Sequence, residues 1–396
     1  MQQAFKEKNI AEFLYITNNR LPVERAHGIQ IMSMCAELKK ICAEKKIDFA
    51  LIIPNRKNAL GTDAFTYYGF EKTFTIIRLW CIDTIFSAIW LGRLAYWIQA
   101  STFMLSLIIY CICHRKTQRI IYSRELFVAA LFRNAIWEAH TLPARPSRIF
   151  RLLLRRVGMI VAITHGLKQD LISLGVAPND ILVAPDGIDL KKFDVATNKK
   201  VARLSLNIPP EDVVAVYTGS FFQHSWKGVD ILLEAAKILA HDHIRIILIG
   251  GHPEELILMD EYKAFPHITL VGHSNTDMVR MYLAAADMAI LPNKSGSRIS
   301  EHHTSPLKLF EYMAAQRLII ASRLPSICEI VDDSSAILIE PNNPTALVNA
   351  IRSAAEHPEL YLNRVAAAFE RVKKYSWAER SETIMTEILR CKTLNS

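Results

Sequence analysis

The residues best suited to chemistry lie in the segment 305–315, SPLKLFEYMAA. Ser305 is a favoured N-cap type and Pro306 suits the first helical position, so the spacing predicts a helix beginning here. The free amides and positive end of such a helix form a ready phosphate site. Further along the same helix, Glu311 adds a carboxylate that can accept hydrogen bonds from a ribose hydroxyl pair. A phosphate cradle and a ribose acceptor on one helix describe a nucleotide-sugar site. The plain alternative is a capped helix whose Glu faces solvent. A second candidate is Gly28, with His27 and Arg25 beside it, where a strand-to-helix loop would let the backbone approach a phosphate or an acceptor.

The elements that must position these residues follow from the apolar pattern. Runs at 13–17, 48–53, 119–123, 135–139 and 159–164 read as strands separated by helix-length segments. The second half repeats the scheme at 213–218, 244–249, 268–271, 288–291, 318–321 and 336–339. Such alternation implies βαβ units and parallel sheets, which bind ligands beyond the carboxyl ends of their strands. Pro185 and Gly187 break the pattern within 183–189 and mark a boundary there. The tail 375–389 reads as one amphipathic helix.

A chain of 396 residues exceeds one typical domain, and 51% hydrophobic residues suffice for two cores. The net charge of +8 suits an anionic partner such as nucleic acid, a diphosphate or an acidic membrane face. The basic residues lack interleaved aromatics in a tract, which argues against nucleic acid. Seven cysteines without a C-x-x-C pair read as free thiols in a reducing compartment, with Cys111 and Cys113 buried rather than metal-bound. The start, MQQAFKEKNIAEF, has no apolar core of signal-peptide length. Together these features imply a cytoplasmic protein.

Residues 94–113 carry no formal charge over 20 positions, the length that spans a bilayer. Gln99, Ser101, Thr102 and Ser106 dilute the run, so a helix buried on a sheet is preferred over a span. A third option is shallow docking at the inner face of the cell membrane. It draws on RPSRIFRLLLRR at 145–156, where Arg148, Arg151 and Arg155 share a helical face with Ile149, Leu152 and Leu153 offset from it. The alternative for that segment is a solvated helix face.

The chain resembles the retaining glycosyltransferases of family four, across nearly its whole length. The carriers are RAHGIQIM at 25–32, VAPDGIDLKKF at 183–193, YTGSFFQHSWKGVDILLEAA at 217–236, YLAAADMAILPN at 282–293, SPLKLFEYMAA, and YSW at 375–377. The resemblance implies the α/β GT-B fold, two Rossmann-like doubly wound parallel-sheet domains facing a cleft. It implies an N-terminal acceptor domain at 1–184, a donor domain at 185–374, and a closing helix at 375–396 that crosses back to the first domain.

The resemblance also implies roles. Breaking the bond between an anomeric carbon and a diphosphate leaves negative charge on the leaving group, which fixed cations and amides stabilise. That work falls to Lys227 and to the donor stretch Thr304, Ser305, Pro306, Leu307 and Lys308. Many members place an Arg where this chain has Gly219 and Ser220, so Lys227 acts with less help or with Arg25 or Arg298 reaching in. Glu311 matches the ribose-binding member of the family's acidic pair. The sugar-binding member is replaced by His303, with Glu301 as a substitute if the loop bends. His140 resembles the histidine lining the sugar site, and Glu138 would orient it or hold an acceptor hydroxyl.

The implied activity is a hexosyltransferase-type transfer from a nucleotide-diphosphate sugar to a hydroxyl acceptor, lipid-linked or a surface glycan, with retention at the anomeric carbon. It needs no protein base of matched pKa, because the leaving phosphate can take the acceptor proton; no D-x-D motif suggests a metal-bridged donor, and no cofactor beyond the sugar nucleotide is expected. Adjacent His302 and His303 make poor joint metal ligands. The rival readings are a nucleotide-sugar epimerase or phosphorylase of the same fold, or a non-catalytic nucleotide-sugar binding subunit.

Overall fold

The computed structural model describes residues 10–58, 60–84, 92–116, 118–193, 198–222 and 224–394. The reading of MQQAFKEKN and the last two residues of the closing helix lie outside the described residues. The described strands form two wholly parallel sheets. The first contains β1 (Glu12–Ile16), β2 (Asp48–Pro54), β3 (Thr75–Leu79), β4 (Arg119–Ser123), β5 (Ile136–Ala139), β6 (Met159–Ala162) and β7 (Ile181–Val183), in the order β3-β2-β1-β4-β5-β6-β7. The second contains β8 (Val213–Thr218), β9 (Ile244–Gly251), β10 (Ile268–Gly272), β11 (Met288–Leu291), β12 (Leu318–Ser322) and β13 (Ile337–Ile339), ordered β10-β9-β8-β11-β12-β13. Both sheets are Rossmann-like. By internal packing, one unit comprises residues 1–163, 167–184 and 377–396, and the other 164–166 and 185–376.

Central strands such as β1 and β12 are buried along their full length, which is why they read as unbroken apolar runs. The sequence reading missed β3 and β7. Both are edge strands: β3 carries Arg78 and is half-exposed, and β7 is three residues long. Neither position demands the two-sided apolar run by which the others are found.

In the first unit, the crossovers from β3 to β4, β4 to β5 and β5 to β6 all travel the same way across the sheet. Right-handed connections therefore place their helices on one face. Phe103 and Leu107 of the helix Arg93–Cys113 indeed share a core with Leu126, Leu154, Leu167 and the sheet residues Leu14, Ile52 and Trp137. The helix is buried on that side only. Gln99 meets Asn18 through two amide hydrogen bonds of 3.0 and 2.9 Å, while Leu105, Ile109 and Ile112 stand in solvent. The helix thus packs on the sheet, as the sequence reading prefers, but only its inner side is buried. Cys111 is half-buried and Cys113 exposed, against the expectation that both are buried. On the opposite face, the helix Ala26–Glu44 packs against Trp377–Leu394.

In the second unit, Gly228 links the turn Ser225–Lys227 to the helix Val229–Ile238 with φ +70°. A Cβ there would lie 1.8 Å from the Pro292 carbonyl oxygen. Gly228→Ala should therefore cost about 1–3 kcal/mol through overpacking and left-handed strain. Differential scanning calorimetry should show a melting temperature several degrees lower, whereas an unchanged midpoint would mean that the loop yields freely.

Candidate active site

The helix carrying Glu311 runs Leu307–Ala314, one residue later than the sequence implies. Pro306 is the N-cap (φ −78°, ψ 113°) and gives no side-chain cap. Ser305 does not cap the helix, because its Oγ accepts the Asp186 amide at 3.0 Å. The helix start is held instead by Leu309, whose N–H reaches the Pro306 carbonyl at 2.9 Å, and by Tyr312, whose hydroxyl accepts the Thr218 amide at 3.0 Å. That second bond ties the helix to the carboxyl end of β8. The Leu307 and Lys308 amides have no acceptor within the helix, the ordinary state of a helix start.

Two ammonium groups meet at the same strand end. Lys227 Nζ donates to Ser220 Oγ at 2.5 Å. Ser220, standing where the resembled family carries Arg, thus positions Lys227. Lys308 Nζ lies 3.9 Å from the centre of the Tyr217 ring, is buried, and has no hydrogen-bond partner. Gly219, at φ +122°, makes room for it: a Cβ there would stand 3.0 Å from Nζ. Neither ammonium is ion-paired among the described residues. Burial lowers Lys227 to about 8, with Glu255 opposing. Burial and the neighbouring charge of Lys227 push Lys308 well below the usual lysine range, with Glu311 opposing. Burial raises Glu311 to about 7, against the pull of Lys308. Lys308 supplies a second cation at this strand end.

The surrounding loops are fixed by backbone bonds. Glu255 accepts the amides of Phe221, Phe222 and His252 at 3.2, 2.6 and 3.0 Å. Lys294 N–H donates to Trp226 O at 2.8 Å, which ties the Lys227 turn to the end of β11. Next to it Asn293 is buried with neither side-chain oxygen nor nitrogen hydrogen-bonded. Buried amides are normally satisfied, so Asn293 is a ligand-contact candidate that the sequence reading passed over inside its ILPN motif. Glu301 accepts the Gly296 amide at 2.8 Å on the helix Arg298–His302. His303 is buried just beyond that helix, and Thr304 Oγ1 donates to Ile299 O at 2.6 Å. Among the described residues, no group of three or more His, Cys, Asp or Glu could hold a metal.

In the first unit Arg25, His27, Glu138 and His140 gather at the carboxyl ends of β1 and β5. Glu138 is almost wholly buried. It accepts from the Tyr122 hydroxyl, bonds His140 Nε2 at 2.5 Å, and faces Arg380 at 3.3 Å and Arg124 at 3.8 Å. Burial would raise its carboxyl, but Arg380, His140 and Arg124 outweigh burial and hold it well below the carboxylate range. Both oxygens are engaged, and one of them bonds His140 directly. His27 is lowered to about 4 by burial and by Arg124, Arg25 and His140. Gly28 is not in a loop. It lies in the first turn of Ala26–Glu44, where a Cβ would collide with the Tyr68 hydroxyl that accepts from Val23 N and donates to Val23 O.

Residues 212–357 match the family of Glycosyl transferases group 1. The matched span runs from the start of β8 to the end of the helix Pro344–Glu356 and contains Lys227, Lys308 and Glu311. The chain is 26% identical over 233 residues to TuaC of Bacillus subtilis, named as a teichuronic acid biosynthesis glycosyltransferase; the match covers 58% of this chain and 55% of TuaC. The chain thus spans about half the length of that relative. Among solved structures, sucrose-phosphate synthase from Thermosynechococcus elongatus superposes with a TM-score of 0.73 at 17% identity, over 98% of this chain and 100% of that one. HepE of Anabaena in complex with UDP-glucose gives 0.70 at 14% identity, over 95% and 98%. These likenesses show the GT-B fold.

Two measurements test the matched span and the first unit. At pH 8 the free protein holds Lys227 near its midpoint and Lys308 depressed, while Glu311 is already largely ionised. A bound diphosphate favours both charged ammoniums, so binding should take up protons. Titration calorimetry in buffers of different ionisation enthalpy should show net uptake; buffer-independent heats would remove the lysines from an anion site. Separately, Glu138→Ala should destabilise by roughly 3–5 kcal/mol by stranding two buried guanidiniums. Because the Glu138 pKa is depressed on folding, its contribution is full above the unfolded value of about 4.3 and fades as pH falls through the folded one. Urea unfolding of wild type and variant should therefore converge in acid.

Proposed function

We propose that the chain transfers a sugar from a nucleoside diphosphate sugar to a hydroxyl acceptor, with retention at the anomeric carbon. The observation that carries this is the pair Lys227 and Lys308. A half-buried and a buried ammonium, neither ion-paired among the described residues, stand beside a helix start at the carboxyl end of β8, with Glu311 one turn along. The arrangement suits a leaving diphosphate, whose developing charge it would meet with fixed cations and amides. Glu311 takes the ribose hydroxyls, and Asn293 a further polar contact. In this reading the cations do the charge-stabilising work that a divalent ion performs elsewhere, so turnover proceeds without metal.

The UDP-glucose complex of HepE supports a nucleoside diphosphate donor, and the name of TuaC supports a surface-glycan or lipid-linked acceptor. Within the first unit, His140 held by Glu138 is assigned to sugar hydroxyls. The free cysteines of the described residues suit a cytoplasmic setting.

A thermal-shift panel of UDP, GDP, ADP and CMP on wild type and Glu311→Ala tests the donor site. One diphosphate should raise the wild-type midpoint. Glu311→Ala should weaken that ligand by ~1.5–3 kcal/mol, a loss of charged hydrogen bonds. Lys227→Ala should instead lower turnover by a large factor with the fold intact. Donor affinity unaltered in Glu311→Ala, or wild-type turnover in Lys227→Ala, would remove that residue from the site. A donor whose sugar is altered without any acceptor would favour the epimerase.

A further inference from the structure

We infer that the helix layer over one face of the seven-stranded sheet docks on an anionic membrane surface, independently of which sugar the chain transfers. The helix Arg93–Cys113 lies in the interface, and the Arg-rich segment around Arg148–Leu154 meets the headgroups. The first helix is long and apolar enough to cross a membrane by length and composition, with a mean hydropathy of 1.5 over Leu94–Cys113. It is not free to do so here, because Phe103 and Leu107 sit in the sheet core and Gln99 is amide-paired to Asn18. What remains is a one-sided apolar stripe. Leu94, Trp97, Leu105, Ile108 and Ile112 recur at helical spacing along the outer side, and Leu105 and Ile112 are 55% and 54% exposed. Ile149 and Leu152 of the second helix add to it at 70% and 60%.

Charge decides the occupant. From Asp83 to Asp170 the only acidic residues are Glu125 and Glu138. Glu138 is closed in its buried cluster, and Glu125 is engaged by Thr17 and Asn19. Arg115, Arg133, Arg148, Arg151, Arg155 and Arg156 are exposed over the same stretch. The layer therefore presents apolar side chains and guanidiniums with hardly a carboxylate. Anionic lipid satisfies both at once, through acyl chains for the stripe and headgroups for the arginines. A polyanion such as nucleic acid offers nothing to bury leucines and isoleucines. A second copy of the chain would bring like charge against like.

The test uses the full chain with phosphatidylcholine vesicles with and without phosphatidylglycerol, read by flotation. Two variants alter exposed positions only: Leu105→Gln/Ile109→Gln/Ile112→Gln and Arg148→Ser/Arg151→Ser/Arg155→Ser. Wild type should float with the anionic vesicles at low salt, be released by high salt or alkaline carbonate, and remain free of pure phosphatidylcholine. The arginine variant should lose partitioning by roughly 100-fold, about 1 kcal/mol per basic residue, and the stripe variant should lose it as well. Both should keep the wild-type melting temperature and nucleotide response, so failure here and failure of the transferase reading are told apart. Undiminished flotation of either variant would overturn the proposal. So would carbonate-resistant insertion, or a wild-type dimer that the stripe variant abolishes while vesicles bind neither.

Discussion

Two like charges held out of water at one strand end are the constraint on which the second unit turns. An ammonium loses stabilisation when buried, which lowers both Lys227 and Lys308, and the charge of Lys227 lowers Lys308 further. Glu255 and Glu311 offset that cost only in part. The fold carries it through elements that cannot give way: Gly219 leaves no Cβ to displace Lys308, Tyr217 lays its ring beneath the ammonium, and Ser220 fixes Lys227. Glu255 accepts three loop amides, from Phe221, Phe222 and His252. A site strained in this way is relaxed by an anion, which on the proposed function is a diphosphate.

The first unit solves the opposite problem. Glu138 is a buried carboxylate, but it is over-compensated by Arg380, Arg124, His140 and the Tyr122 hydroxyl. Such a network contributes little net stability against an apolar replacement, yet breaking it is costly. Its value is positional. Arg380 comes from Trp377–Leu394 and also donates to the Ala184 carbonyl, so the closing helix is fixed to the strand ends beside His140. The second unit thus keeps charge uncompensated for a ligand, while the first spends its charge on holding an imidazole still.

Much of this was legible in the sequence, because buried parallel strands leave unbroken apolar runs. The runs at 119–123, 213–218 and 288–291 match β4, β8 and β11 to the residue. Edge strands β3 and β7 left no such trace. Local signals failed where a distant partner intervened. Ser305 has the chemistry of a cap, but Asp186, far back in the chain, claims its hydroxyl. Gly28 has the look of a phosphate loop, yet its missing side chain makes way for Tyr68. Lys308 sits in the open in SPLKLFEYMAA, and only the strand end at Gly219 reveals that it supplies the second cation. Asn293 gave no signal at all beyond its place after a strand, since an unsatisfied amide is a property of packing.

The segment 94–113 shows why composition alone leaves function open. A uniformly apolar helix is equally consistent with a core, a span or a surface, because periodicity carries information only when polar residues mark one face. Here the marks are few: Gln99 points inward to Asn18, and Ser101 lies outward among apolar neighbours. The sheet makes the distinction that the sequence could not. Its right-handed crossovers give the helix one covered side, and its length leaves the other uncovered. A helix held by one face against a soluble domain retains on its outer face the apolar character that composition assigned to the whole. The near-absence of acidic residues from Asp83 to Asp170 accords with the docking proposal, since the helices Arg93–Cys113 and Arg148–Leu154 of that stretch pack into the same core.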